Sequence, residues 1–108
     1  MQTVIQVICS GNTSLREAIV KDPRLGRHHL AVSRQKSPGR NPGWAKLHST
    51  DPATPGAINL TWDGSARILL ARVVTREAGR PGEIVGDFVT YLLERRRQRV
   101  RAINILPD

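Results

Sequence analysis

Apolar and polar positions along the chain alternate or cluster in patterns that predict short elements in the order β–α–β–β–β–β–α–β. The first pattern is TVIQVIC over residues 3–9, a nearly continuous apolar run that is rich in β-branched side chains. Such a run is typical of a strand with apolar residues on both faces. We therefore expect the first strand to be buried inside a sheet.

A short helix is predicted directly after this strand. The sequence Ser14-Leu15-Arg16-Glu17 is a capping box, in which the Ser14 side chain accepts from a first-turn amide and Glu17 reaches back. Leu15, Ala18 and Ile19 then share one face of the helix. Because Pro23 disfavours a helical conformation of the residue before it, we expect the helix to end at Asp22.

Two strands are predicted on either side of a segment rich in Pro and Gly. HLAVSR over residues 29–34 leads into that segment, and WAKLHS over residues 44–49 leaves it. The connector DPATPG over residues 51–56 follows and is rich in turn residues.

The sequence INLTWDGSARILLARVVT over residues 58–75 predicts a central β-hairpin, because Asp-Gly is a strong turn dipeptide. A three-residue loop over residues 63–65 would set the register of the two strands. Since side chains alternate between the faces of a strand, that register would gather six apolar side chains on one face. They are Ile58, Leu60, Trp62, Ala66, Ile68 and Leu70.

A longer helix is predicted after Arg80, with Pro81 in its first turn, where proline is tolerated. Its apolar residues recur at helical spacing and form a stripe of Val85, Phe88, Val89, Leu92 and Leu93. AINIL over residues 102–106 predicts the last strand. Together these elements predict one small α+β domain over residues 1–108, with one short and one long helix packed on a mainly antiparallel sheet.

The charge of the chain points to a polyanionic partner. Lys and Arg total 17 against 9 Asp and Glu, which gives a net charge of +8 and a pI near 11.3. The cations fall into two blocks, one between Pro23 and Thr50 without any carboxylate and one over residues 95–101. An excess of this size on a domain of 108 residues favours nucleic acid as the partner.

The first block includes a basic Pro/Gly loop, predicted at about residues 34–48. Cations there can contact phosphates, a tryptophan offers a stacking surface, and glycines let backbone amides approach an anion. The candidate nucleic-acid-binding residues of this loop are Arg34, Lys36, Arg40, Asn41, Trp44, Lys46 and His48.

The second block is the arginine run at the end of the long helix. One or two cations there would complement the helix dipole. Arg95, Arg96, Arg97 and Arg99 exceed that need and lie about 100° apart around the helix. We therefore predict a second phosphate-contacting surface at these four arginines.

Two other functions are compatible with the same residues. A small, metal-independent RNase of the toxin type would use His48 and Lys46 with His28 or His29 for acid–base chemistry. An interaction module for an acidic protein, encoded by a phage or mobile element, would also need a basic surface. No spacing here is diagnostic of catalysis, so we expect a binding protein rather than an enzyme.

The segment ICSGNTSLR resembles the active-site loop of low-molecular-weight tyrosine phosphatases, where a thiolate and an arginine bind phosphate. Six residues separate Cys9 from Arg16, where those enzymes need five. The extra residue would turn Arg16 by about 100° around the helix, away from the phosphate. We therefore interpret Cys9 as a structural strand residue.

Metal and cofactor motifs are missing from the sequence. It contains no HxH, HExxH or CxxC pattern and no Walker-type or Rossmann glycine pattern, so neither a metal nor a cofactor is expected.

A single cysteine fits a reducing cytoplasm. No apolar run approaches the roughly 20 residues of a membrane span. DNA versus RNA, sequence preference and a homodimeric state all stay open.

Overall fold

The computed structural model describes residues 2–36, 43–76 and 81–107. Six strands and two helices follow the predicted order and confirm the α+β class. The strands are β1 (Gln2–Cys9), β2 (Leu30–Lys36), β3 (Trp44–Ser49), β4 (Ala57–Asp63), β5 (Ile68–Val74) and β6 (Val100–Pro107). The helices are α1 (Leu15–Val20) and α2 (Pro81–Arg95), and a 3₁₀ turn spans Leu25–His28.

All six strands form one antiparallel sheet in the order β2-β3-β4-β5-β1-β6. Burial alternates along β1, β4 and β5, because one face of the sheet is covered and the other is not. The covered face and the helices share one core. Its strand members include Ile5, Val7, Leu47, Ile58, Leu60, Trp62, Leu69, Ala71 and Val73.

Helix α1 begins as the capping box predicts. The hydroxyl of Ser14 accepts a hydrogen bond of 3.2 Å from the backbone amide of Glu17. Leu15 and Ile19 are fully buried in the core, while Ala18 packs at its margin. The short helix thus anchors one end of the helical layer to the sheet.

The register predicted for the central hairpin was wrong. Asp63 pairs with Ile68, so the loop has four residues, 64–67, rather than three. The Asp63 carboxylate accepts hydrogen bonds of 3.1 Å from the amides of Ser65 and Ala66, and Arg67 has a left-handed φ of 57°. This longer turn moves Leu70 to the uncovered face, where 42% of its surface is exposed.

The apolar stripe predicted for α2 was partly wrong. Phe88 and Leu92 are buried as expected, but Leu93 is 41% exposed. The buried residues of α2 are Ile84, Phe88, Tyr91 and Leu92. They have helical spacing of i, i+4, i+7 and i+8, counted from Ile84 instead of the predicted Val85. The helix therefore presents a face that includes Tyr91 to the core.

Gly56 is required by a close approach between the connector and the core. A Cβ atom there would lie 2.5 Å from Cδ1 of Ile84 and 3.1 Å from the carbonyl oxygen of Val74. Because Ile84 is fully buried, it has little room to move. We expect Gly56→Ala to lower the free energy of unfolding by about 1–3 kcal/mol in chemical denaturation.

Gly86 provides the matched control for that substitution. It is exposed within α2, and a Cβ atom there would meet nothing within 4 Å. Gly86→Ala is therefore expected to raise the free energy of unfolding by about 0.5–1 kcal/mol, since alanine favours helix. Equal effects of the two substitutions would contradict the close packing at Gly56.

Candidate nucleic-acid interface

Within the described ranges, both helices pack on one face of the sheet; we call the opposite side the open face. Side chains of the open face alternate with core side chains along each strand. Its exposed apolar residues include Leu70, Val74 and Leu106, the last at 53%. This face is therefore available to a ligand, whereas the other belongs to the core.

Three basic side chains and one amide line up across four strands of the open face. Strand pairing joins Arg34 to Lys46, Lys46 to Asn59, and Asn59 to Arg72. We call these four residues the cationic row. Because neighbouring strands lie about 4.8 Å apart, the backbones of Arg34 and Arg72 are separated by about 14 Å.

A second row runs beside the cationic row, two residues away along each strand. Pairing connects Lys36, Trp44, Thr61, Leu70, Gln6 and Asn104 in that order. We call this the aromatic row. The amides of Gln6 and Asn104 are hydrogen-bonded to each other at 2.9 Å, so the far end of the row is polar and ordered.

The two rows enclose a groove of about 340 Å³ on the open face. It is lined by Arg34, Trp44, Lys46, Asn59, Thr61 and Arg72. Cavities of about 530 Å³ and 190 Å³ adjoin it, sharing Lys46 and Thr61 with it respectively. Of the described residues that line the central groove, three are cations and none is a carboxylate, which favours a negatively charged ligand.

Five residues predicted from the basic loop lie on strands of the open face. Arg34 and Lys36 belong to β2, and Trp44, Lys46 and His48 belong to β3. The strands thus occupy both ends of the segment predicted as a loop. Arg40 and Asn41 lie outside the described residues.

The arginines at the end of α2 and just after it lie on the helical side of the sheet, away from the cationic row. The carboxylate of Asp22, with a side chain only 3% exposed, accepts a hydrogen bond of 3.1 Å from Arg96. Arg96 also donates to the carbonyl oxygen of Ala18, and Arg95 approaches the same carboxylate at 3.9 Å. Arg96 therefore joins α1 to α2.

Burial alone would raise the pKa of Asp22, but its partners outweigh that effect. The backbone amide of Arg24 and the hydroxyl of Tyr91 donate to the carboxylate, each at 2.9 Å. With the charges of Arg96 and Arg95, these hydrogen bonds hold the pKa of Asp22 below its usual value. Burial raises the pKa of Tyr91 to about 12, so its hydroxyl stays protonated and donates.

Arg99 fixes the loop between β1 and α1. Its guanidinium donates hydrogen bonds of 2.7 Å to the carbonyl oxygens of Ser10 and Thr13. It also lies 5.9 Å from the ring centre of Trp62, a buried residue on the covered face. Arg97 donates to the carbonyl oxygen of Leu93 and is exposed. Arg95, Arg96 and Arg99 thus lie on the helical side of the sheet, opposite Arg34, Lys36 and Lys46 on the open face.

The histidines of the RNase hypothesis are divided between the two layers. His48 is exposed on the open face beside Lys46, as their alternate spacing predicts. The ring of His28 lies edge-on to Tyr91 at 5.4 Å, in the helical layer, with Nε2 3.6 Å from Glu94. His29 follows the 3₁₀ turn with a left-handed φ of 60°. His28 and His48 are therefore not brought together.

Cys9 lies at the end of β1 as expected and is 5% exposed. Burial raises the pKa of its thiol, and the nearby charge of Arg99 only partly opposes this. A thiolate nucleophile needs the opposite shift, so the geometry supports the structural interpretation of Cys9.

No group of three or more His, Cys, Asp or Glu side chains in the described part of the chain could hold a metal ion. None of the helices in these ranges is long and apolar enough to cross a membrane.

Sequence reasoning missed Asn59, Thr61 and Arg72 of the groove. Asn59 and Thr61 alternate with the apolar residues of β4, which is a readable signal for an exposed face. Arg72 lies between two core residues of β5, so the correct hairpin register was needed to place it beside Asn59 on the open face.

Comparison with models of known protein families, with curated proteins and with solved structures found no match to this chain.

Proposed function

We propose that this protein binds nucleic acid through the open face of its sheet, with phosphates contacting Arg34, Lys46 and Arg72. The observation that carries the proposal is the groove that these three cations line together with Trp44. Cations supply sequence-independent affinity for a phosphate backbone, and an accessible aromatic ring adds stacking. Lys36 on β2 and His48 on β3 lie on the same face and add to the surface that contacts the nucleic acid.

The layout of the cationic row favours a polymer over a small anion. The backbone positions of its cations are spread over about 14 Å across four strands. A ligand with repeated negative charges can contact all of them together, and the net charge of +8 attracts such a ligand from a distance. The single cysteine supports a cytoplasmic setting for this function.

The arginines at the end of α2 and just after it take a different role in this proposal. Arg96 and Arg99 donate to carboxylate and carbonyl oxygens of the protein itself, so they stabilise the helical layer. Arg95 and Arg97 are exposed and add to the net charge, which speeds association with a polyanion. The phosphate contacts therefore concentrate on the open face.

The salt dependence of binding tests the proposal. We expect the association constant for a fluorescein-labelled 12-nucleotide oligonucleotide to fall linearly with salt on logarithmic axes. Three phosphate contacts predict a slope of about −2, because single strands release about 0.7 counterions per contact. Absence of binding at 50 mM salt, or tighter binding to polyglutamate than to the oligonucleotide, would refute nucleic acid as the ligand.

Incubation with RNA separates binding from the RNase alternative. We expect labelled RNA to remain intact from pH 5 to pH 8, with and without divalent metal. His48→Ala should then change affinity only slightly, since His48 lies outside the central groove. Metal-independent cleavage that disappears in His48→Ala would instead identify an enzyme, because acid–base catalysis contributes about 10²–10⁴-fold to rate.

A further inference from the structure

We infer that the ligand is single-stranded and crosses the β-strands, with its phosphates along the cationic row and its bases along the aromatic row. This inference rests on the proposed function and adds the strandedness of the ligand and its orientation on the sheet. The two rows run side by side across the open face, separated by two residues along each strand, or about 6.7 Å.

The chemistry of the two rows differs in the way a single strand requires. The cationic row presents Arg34, Lys46 and Arg72, which suit phosphate oxygens. The central members of the aromatic row carry no charge; its one cation, Lys36, lies at the edge of the sheet. One side of the groove therefore suits a backbone and the other suits bases.

Trp44 provides the stacking surface for a base. Its side chain is half-buried and lines the groove, so the ring is supported by the protein and still accessible. Thr61 is its neighbour across the strands and can donate to or accept from a base edge. Leu70, 42% exposed, offers an apolar surface at the next position.

The aromatic row ends in two amide side chains. Gln6 and Asn104 hold each other through one hydrogen bond, which leaves other donors and acceptors of both amides for a ligand. From Trp44 on β3 to Asn104 on β6 the row crosses four strand spacings, or about 19 Å. This length accommodates several splayed bases.

A duplex fits this surface poorly. Its bases are paired and stacked inside the helix, so the Trp44 ring could not stack on them without unpairing, which costs a few kcal/mol. Sequence-tolerant recognition by aromatic side chains is a property of single strands, whose bases can be unstacked and splayed. The groove would contact only one backbone of a duplex and leave the aromatic row unused.

The fluorescence of Trp44 reports directly on stacking. The chain has two tryptophans, and Trp62 is buried on the covered face. In the variant Trp62→Phe, all tryptophan emission comes from Trp44. We would titrate this variant with a 12-nucleotide single strand and with the blunt duplex of the same sequence. We expect the single strand to bind at least about tenfold more tightly and to quench the emission.

Substitution of Trp44 separates stacking from charge. Trp44→Ala is expected to weaken single-strand binding about 5- to 150-fold, while Trp44→Phe retains most of the affinity. Circular dichroism checks that both variants fold. If Trp44→Ala unfolds, the Trp44→Phe variant and the quenching experiment still decide the question.

Each outcome bears on the inference in a distinct way. Preferential binding of the single strand with quenching supports it. Equal or tighter binding of the duplex, or single-strand binding that leaves the Trp44 emission unchanged, overturns the inference while nucleic-acid binding stands. Failure of both oligonucleotides to bind at 50 mM salt overturns the inference and the proposed function together.

Discussion

Replacing Arg34, Lys46 and Arg72 together with Gln is expected to weaken oligonucleotide binding about 100-fold at 0.1 M salt. Loss of three phosphate contacts makes the slope of log association constant against log salt concentration shallower by about 2. Because 0.1 M lies one decade of salt below the 1 M reference, that change in slope corresponds to about two decades in the association constant. Glutamine keeps much of each side-chain stem, so packing on the open face changes little. Fluorescence anisotropy across a salt series measures both the affinity and the slope.

The matched control removes the same charge from the helical side of the molecule. Arg24 and Arg27 flank or occupy the 3₁₀ turn, and Arg97 follows α2; all three are exposed. Their replacement with Gln is expected to leave the slope nearly unchanged and to weaken binding only through the lower net charge. A control variant as weak as the open-face variant would show that only total charge matters.

The second large effect concerns stability. Asp22→Ala is expected to lower the free energy of unfolding by about 2–4 kcal/mol, because it removes the acceptor for Tyr91 and Arg96 from a buried position. We place the loss below that of a fully buried ion pair because Arg96 and Arg95 are 26% and 34% exposed and can regain water. Urea denaturation at pH 7 measures the change.

The pH dependence of stability identifies the charge of Asp22 as the cause. The pKa of Asp22 is lower in the folded protein than in the unfolded chain, where it is about 3.9. The ionised carboxylate therefore stabilises the fold above about pH 3.9, and this stabilisation is lost as the pH falls through the folded pKa. The stability difference between the native chain and Asp22→Asn should therefore shrink below about pH 4. A difference that stays constant from pH 7 to pH 2 would contradict the role of the charge.

Local patterns predicted the elements of the fold better than their relative register. The capping box at Ser14 and the Pro81 start of α2 act through neighbouring residues, so both were visible in the sequence. The turn after β4 depends on hydrogen bonds from Ser65 and Ala66 to the Asp63 side chain, which lengthen the loop by one residue. That single residue reverses the face of every side chain in β5.

The same register explains which parts of the site were predicted. Trp44 and Lys46 were found because they stand out in a basic segment of the chain. Arg72 is isolated between Ala71 and Val73, and the predicted three-residue loop would have turned it towards the core. The role of Arg96 could not be inferred from a charge pattern, because its partner Asp22 lies 74 residues away in the chain.

The most direct test of the open face as the binding surface is chemical-shift mapping of the ¹⁵N-labelled protein with a 12-nucleotide single strand. We predict that the largest amide shifts fall on β2, β3, β4 and β5, around Arg34, Lys46, Asn59 and Arg72. Amides of α1 and of the arginines after α2 should shift little. Shifts concentrated on the helical layer, with the strand residues unchanged, would contradict the account.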